Sequence, residues 1–220
     1  MDNIKLIAPC LFGVESIAAD EFRRMGFESV TAENGRVKLS GGINMLARAN
    51  ICSRYAERIM IDVGEFRAAT FTELFDGVKS LPWEDYIGKY DAFPVNGRSI
   101  DSALFSIPDC QSIVKKAIVE RLKQKYHISH FEETGAEYRV RFFIYKNVAS
   151  LMIDTSGEGL HKRGYRRKSN DAPLKETLGA AMCDLARIYP DTLMFDPFCG
   201  SGTLLIEAAL KATNTAPGLR

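Results

Sequence analysis

The sequence predicts an α+β protein assembled from several modules. Three observations point there. Residues 1–66 read β-α-β-β-α-β, the ferredoxin-like order. Asn34-Gly35 stands between two short strand-like runs, the strongest short hairpin signal. Residues 192–209 read as a buried strand, a glycine turn and a helix, which is how a parallel α/β sheet begins. With 220 residues, 46% of them hydrophobic, the chain can build real cores in one large domain or two small ones.

In order, Ile4 to Ala8 is an apolar strand. Gly13 to Met25 is an amphipathic helix, with Val14, Ile17, Ala18, Glu21 and Phe22 at helical spacing and Gly26 closing it. Strands follow at Ser29–Ala32 and Arg36–Leu39, then a short helix at Ile43–Ala49. The last strand of this part lies within Tyr55–Phe66, where Ile59, Ile61 and Val63 alternate. The second part, 67–155, opens with a helix over Phe71–Leu81, followed by Trp83 and Tyr86 as core or interface aromatics. Ala92–Val95 and Ser102–Ile107 suggest strands. Pro108-Asp109 starts a long helix to about Tyr126, with Asp109 as N-cap and an apolar stripe through Ile113, Val114, Ala117, Ile118 and Leu122. Tyr138–Tyr145 and Val148–Asp154 form a hairpin across Lys146-Asn147. After a linker at 156–170, the third part spans 171–220. Asp171 caps its first helix, with Pro173 in the first turn, and Leu174, Leu178, Ala181, Met182, Leu185 and Ile188 repeat at helical spacing.

The net charge of +1 gives no global argument for nucleic acid, so any such case rests on local clusters. The five cysteines (Cys10, Cys52, Cys110, Cys183, Cys199) are scattered with no Cys-x-x-Cys. That argues for reduced thiols in the cytoplasm rather than a disulfide framework or a zinc site. No signal peptide is evident, and no apolar run is long enough to span a membrane, so no membrane partner is expected.

Phe195-Asp196-Pro197-Phe198-Cys199-Gly200-Ser201-Gly202-Thr203 holds the most specific chemistry. Gly200 and Gly202 permit a sharp turn and close backbone approach to a ligand, and Ser201 or Thr203 can cap the helix behind them. That helix N-terminus offers N–H groups and a partial positive charge. The loop lacks the phosphate-loop lysine and the third glycine of the dinucleotide fingerprint. As bare spacing, Gly-x-Gly is also compatible with a plain turn. The whole string resembles the first cofactor motif of Rossmann-like S-adenosylmethionine-dependent methyltransferases, particularly the branch that methylates exocyclic amines of nucleic-acid bases. The resemblance implies S-adenosylmethionine as cofactor and Asp196, Phe198, Cys199, Gly200, Ser201, Gly202 and Thr203 as cofactor-binding residues. Ala172-Pro173-Leu174-Lys175-Glu176-Thr177-Leu178 resembles the helix preceding the first strand in these enzymes, which brings in Leu174 and Thr177 as further cofactor contacts; plain core packing is the other reading of Leu174.

Two segments argue for RNA. Between 96 and 125, six cations face three carboxylates, a local excess of +3, with Lys115, Lys116 and Lys123 opposite the apolar stripe. By charge alone this is also an ordinary solvated helix face. The run from Leu104 to Ile118 resembles part of a THUMP domain, an RNA-binding module that usually follows a ferredoxin-like domain. From Gly157 to Lys168, five basic residues against Glu158 leave +4, with His161 and Tyr165 interleaved. Leu160-His161-Lys162-Arg163-Gly164-Tyr165-Arg166 resembles the junction between the THUMP and catalytic parts. Lys162, Arg163, Tyr165, Arg166, Arg167 and Lys168 are therefore candidate RNA contacts, a solvated linker being the alternative. His161 alone is no general base or metal ligand, and no metal site is expected.

The fold expected is thus α+β: a ferredoxin-like N-terminal domain (1–66), a THUMP α/β domain (67–155), the basic linker (156–170), and the truncated start of a Rossmann-like α/β methyltransferase domain (171–220). The resemblance implies an RNA guanine-N2 methyltransferase acting on 23S ribosomal RNA. The alternatives are an adenine-N6 nucleic-acid methyltransferase and a non-catalytic RNA-binding module. An Asn/Asp-Pro-Pro-aromatic motif, which positions the amine in this family, is absent, so no catalytic residue is assigned. About 150 residues are needed for a complete domain of this kind, and the expectation is an N-terminal fragment that is inactive alone.

Overall fold

In the first unit of the fold, residues 1–60 and 156–220, strand β1 (Ile4–Pro9) runs antiparallel to β3 (Arg36–Gly41), Ile4 opposite Gly41 and Pro9 opposite Arg36. Strand β2 (Glu28–Glu33) lines the other edge of β3, and the two are joined at Asn34-Gly35 as the sequence predicts. The structure, a computed structural model, describes residues 3–165 and 173–219. Helix α1 (Glu15–Arg24) forms where the apolar residues keep helical spacing and buries Ala18, Ala19 and Phe22, the last packed edge-on to Phe27. Helix α2 (Ile43–Cys52) follows β3.

Two more helices belong to this unit, α5 (Glu176–Leu185) and α6 (Thr203–Ala212). Cys183, Ile188 and Ala208 make a small apolar cluster between them, with Met194 and Leu204 packed against it. Three expectations are corrected here. Helix α5 starts at Glu176 behind Lys175, so Pro173 precedes it, and the proposed cap Asp171 lies outside the described residues. The strand expected at 193–195 is absent, and Leu193 and Phe195 are 97% and 85% exposed. A parallel strand exists only through a paired neighbour, and no described strand lies beside this run. Helix α6 is capped by Gly202 rather than by a Ser201 or Thr203 side chain.

The second unit, residues 61–155, holds β4 (Met60–Arg67) from Ile61 onward. Then come α3 (Phe71–Ser80), a single 3-10 turn at Trp83–Asp85, β5 (Val95–Ile100), α4 (Ile107–Tyr126), β6 (Arg139–Tyr145) and β7 (Val148–Asp154). Its strands lie in the order β4-β7-β6-β5. β6 and β7 are the expected hairpin, with both turn residues, Lys146 and Asn147, at positive φ. Thr70 and Glu73 close a reciprocal capping box on α3. Trp83, Phe93, Ile118, Leu122 and Phe142 fill a continuous core.

β5 only touches the strand expected at 92–95, at Val95, and lies ahead of the one expected at 102–107. Ala92 makes only an isolated bridge to Glu137, and β5 pairs parallel to β6 at the end of the strand order. An end strand with alternate residues exposed can be as polar as Asn96-Gly97-Arg98-Ser99, whereas the residues after Asp101 turn into α4. Helix α4 begins at Ile107 behind Ser106. Asp109 is therefore a first-turn acid and not the cap, and Pro108 occupies the first turn, where its missing N–H costs nothing. Among the described residues no helix is long and apolar enough to cross a membrane.

Candidate cofactor-binding site

The loop ahead of α6 is built by backbone geometry. Gly200 (φ +54) and Gly202 (φ +72) both hold left-handed conformations that a side chain rarely adopts. The Gly202 amide donates to the Cys199 carbonyl at 2.7 Å, closing the turn. The Phe198 amide donates to Asp196 Oδ1 at 3.0 Å, which ties the aspartate to the loop. The Ser201 and Thr203 hydroxyls lie 3.1 Å apart and bond each other. With no side chain capping α6, its first turn presents backbone amides and the positive end of the helix dipole. Phe198, Cys199 and Gly200 are exposed, Asp196, Ser201 and Gly202 half-buried, and Thr203 buried.

Gly179 explains why α5 stays beside this loop. A Cβ there would meet Thr203 Cγ2 at 3.1 Å, Glu207 Cγ at 3.5 Å and Leu174 Cδ2 at 3.6 Å. The close approach of α5 and α6 brings half-buried Leu174 to the same place as Thr203. Thr177 is different. It is 1% exposed, and its hydroxyl donates to Glu57 Oε1 at 2.6 Å. That contact turns it toward the segment before β4, which corrects its assignment as a cofactor contact.

Below the loop lies a layer of buried charge not anticipated from the sequence. Glu207, fully buried on α6, pairs with Arg163 Nη1 and accepts from the Tyr165 hydroxyl at 2.8 Å. Arg163 Nη2 donates to the Arg54 carbonyl, while Arg54 Nη2 donates to the carbonyls of Thr215 (2.9 Å) and Leu210 (3.3 Å). The Arg54 amide and the Ser53 hydroxyl donate to Glu21 at 2.9 and 2.8 Å. Burial pushes the Glu207 carboxyl above the usual carboxylate range, although Arg163 and Tyr165 pull the other way. Burial likewise raises Glu21 to about 7 against its hydrogen bonds from Arg54 and Ser53. Burial would also raise Glu57, but Thr177, Lys175 and nearby His161, 3.0 Å away, outweigh it and leave it lowered. A signal for Glu21 existed in the sequence: a carboxylate on the apolar stripe of α1 has to find a partner inside.

The candidate RNA contacts divide. Lys116 is exposed, Lys123 lies 4.0 Å from Glu120, and Lys162 extends into solvent with its ammonium 3.7 Å from Glu158. Lys115 is occupied. It donates to the Phe93 carbonyl, sits 3.6 Å above that ring, and pairs with Glu133. Arg163 is corrected as a surface contact, because its side chain is 1% exposed and neutralised by Glu207. Tyr165 spends its hydroxyl on the same carboxylate. Arg166, Arg167 and Lys168 lie outside the described residues. Among the described residues no cluster of three or more His, Cys, Asp or Glu could hold a metal ion.

Three family models match in sequence. Residues 5–60 match the RlmL ferredoxin-like domain, residues 68–154 the THUMP domain, and residues 163–220 the RMKL-like methyltransferase domain. Ferredoxin-like, THUMP and methyltransferase modules thus match one after another along the chain. It is 47% identical over 99% of its length to "Putative RNA methyltransferase YpsC" of Bacillus subtilis (strain 168), covering 57% of that protein. A solved structure described as "a predicted N6-adenine-specific DNA methylase" from Listeria monocytogenes matches with a TM-score of 0.94 and 49% identity, over 99% of this chain and 57% of the other. SMU.472, "a putative methyltransferase complexed with SAH", matches with a TM-score of 0.93 and 42% identity, over 99% of this chain and 58% of the other. The chain thus spans somewhat more than half the length of these relatives.

Proposed function

We propose that this chain is the RNA-binding and cofactor-loop portion of a cytoplasmic, S-adenosylmethionine-dependent methyltransferase that modifies the N2 amine of a guanine in 23S ribosomal RNA. The observation that carries the reading is the N-terminus of α6, without a side-chain cap, behind two left-handed glycines, with Leu174 gathered beside Thr203. The fit is steric and polar. A Cβ at Gly200 or Gly202 would strain the left-handed backbone of the turn, and the first-turn amides of α6 suit an anionic or polar group. Asp196, Phe198, Cys199, Gly200, Ser201, Gly202, Thr203 and Leu174 are the residues that would hold the cofactor. The chemistry supplied by that cofactor is an electrophilic methyl group displaced by an amine nitrogen, which demands tight positioning of the two. Exposed Lys116 and Lys162, together with Lys123, supply the phosphate contacts in this reading, and the THUMP match and the name of the Bacillus subtilis relative support RNA as the substrate class.

The adenine-N6 reading is kept as the rival because the Listeria monocytogenes structure bears that description. The experiment is methylation of 23S ribosomal RNA, taken from cells lacking the gene, by the full-length gene product with methyl-labelled cofactor. Digestion to nucleosides should place the label in N2-methylguanosine. Label in N6-methyladenosine would move the assignment to the rival, and no label in any RNA would leave the chain as a binding module.

A further inference from the structure

We infer that Arg163 and Tyr165 are positioning residues that make the geometry of the cofactor loop answer to the basic junction; this rests on the methyltransferase reading above. The junction residues alternate in direction. Lys162 reaches solvent, whereas Arg163 and Tyr165 turn inward and converge on the two oxygens of Glu207. Glu207 lies one turn into α6, directly behind the first-turn amides, and its Cγ shares the Gly179 contact with Thr203. A shift of the junction backbone is therefore delivered through two side chains to the helix that forms the cofactor loop.

The lock is also anchored on the far side. Arg163 Nη2 holds the Arg54 carbonyl, and Arg54 reaches across to the Leu210 and Thr215 carbonyls at the other end of α6. The middle and the C-terminal end of α6 are thus both tied to Arg54. The network is not fully satisfied: Arg163 Nε and Arg54 Nη1 are buried without a hydrogen-bond partner among the described residues. A fully satisfied buried network rigidifies its surroundings, and one with orphaned donors holds them less firmly. A cleft of about 270 Å³, lined by Asn50, Glu158, Lys162, Arg163 and Gly218, opens beside it. An RNA phosphate drawn to Lys162 would enter next to the lock, beside the junction backbone that the lock ties to α6.

The test uses the full-length gene product with Tyr165→Phe and, separately, Glu207→Gln, which keeps the volume and removes the charge. Three quantities are read in each folded variant: calorimetric affinity for S-adenosylmethionine, filter-binding affinity for a 23S ribosomal RNA transcript, and hydrogen exchange of the amides from Gly200 to Ile206. The expected result is about tenfold weaker cofactor binding, exchange of these amides faster by a similar factor, and RNA affinity within about twofold of the wild type. Lower thermal stability with unchanged cofactor affinity and unchanged loop exchange would overturn the inference and leave a merely structural ion pair. If the wild type binds no S-adenosylmethionine, the methyltransferase reading fails. The exchange data still decide this inference, because loop amides indifferent to both substitutions contradict it and responsive ones support it.

Discussion

The core of residues 61–155 and the layer beneath α6 solve the same problem in opposite ways. In the first, Trp83, Phe93, Ile118, Leu122 and Phe142 are sealed into one apolar cluster, and even the indole N–H is satisfied, by the Val78 carbonyl at 2.7 Å. In the second, the buried apolar cluster among the described residues is Cys183, Ile188 and Ala208, and Glu21, Arg54, Arg163 and Glu207 form a hydrogen-bonded network beside it. Three of its large apolar side chains, Leu193, Phe195 and Phe198, face outward. Apolar packing is non-directional and gives rigidity, whereas buried ion pairs are directional and sensitive to their partners. Under the proposed function, a module that offers a fixed surface is built the first way, and a helix whose loop must answer to its neighbours is built the second way.

The largest effect should come from breaking the sealed core. Trp83→Ala removes the most voluminous fully buried side chain and should cost about 4 kcal/mol in urea-denaturation midpoints. In the other region, Glu207→Ala strands Arg163 as a buried charge and should cost about 3 kcal/mol. The comparison sharpens with the double variant Arg163→Met, Glu207→Leu, in which most of that loss should return, since replacing both partners removes the desolvation cost along with the attraction.

The pH dependence comes next. Burial raises Glu21 to about 7 in the folded state, above its ordinary 4.5. Between those values the folded chain retains a proton that the unfolded chain has released, so this group's contribution is present at low pH and is lost as pH rises toward 7. In Glu21→Gln that loss is gone. The Tm of the wild type should therefore fall steadily relative to that of the variant on titration from pH 4.5 to 7, and a constant difference would show that Glu21 does not titrate in this window. Smaller still, Thr70→Ala opens the capping box of α3 and should cost about 1 kcal/mol. Least of all, Leu193→Ser should change the stability of this chain by less than about 0.5 kcal/mol, because the side chain is 97% exposed.

Much of the fold was legible because it is encoded locally. The Asn34-Gly35 and Lys146-Asn147 turns fix two hairpins, and the stripe from Ile113 to Leu122 fixes α4. The glycine loop was legible as a string, and its backbone adopts the left-handed turns those glycines suggest. What local pattern could not give was partnership. β5 is a polar strand that exists by pairing with β6, and 193–195 is an apolar run with no described strand to pair with. Arg163 and Tyr165 looked like surface cations and a stacking ring. Only the arrival of Glu207, more than forty residues later in the chain, turns them inward. Thr177 was misread for the same reason, since Glu57 is its distant partner.

The central claim is that Gly200-Ser201-Gly202 cradles S-adenosylmethionine. Its most direct test is calorimetric titration of the cofactor into the full-length gene product and into its Gly202→Val variant. Saturable binding by the wild type is expected, and binding weaker by at least about a hundredfold in the variant, because φ +72 is strained for a β-branched residue and the loop must abandon its turn. Equal binding by the two proteins, or no binding by the wild type, would contradict it.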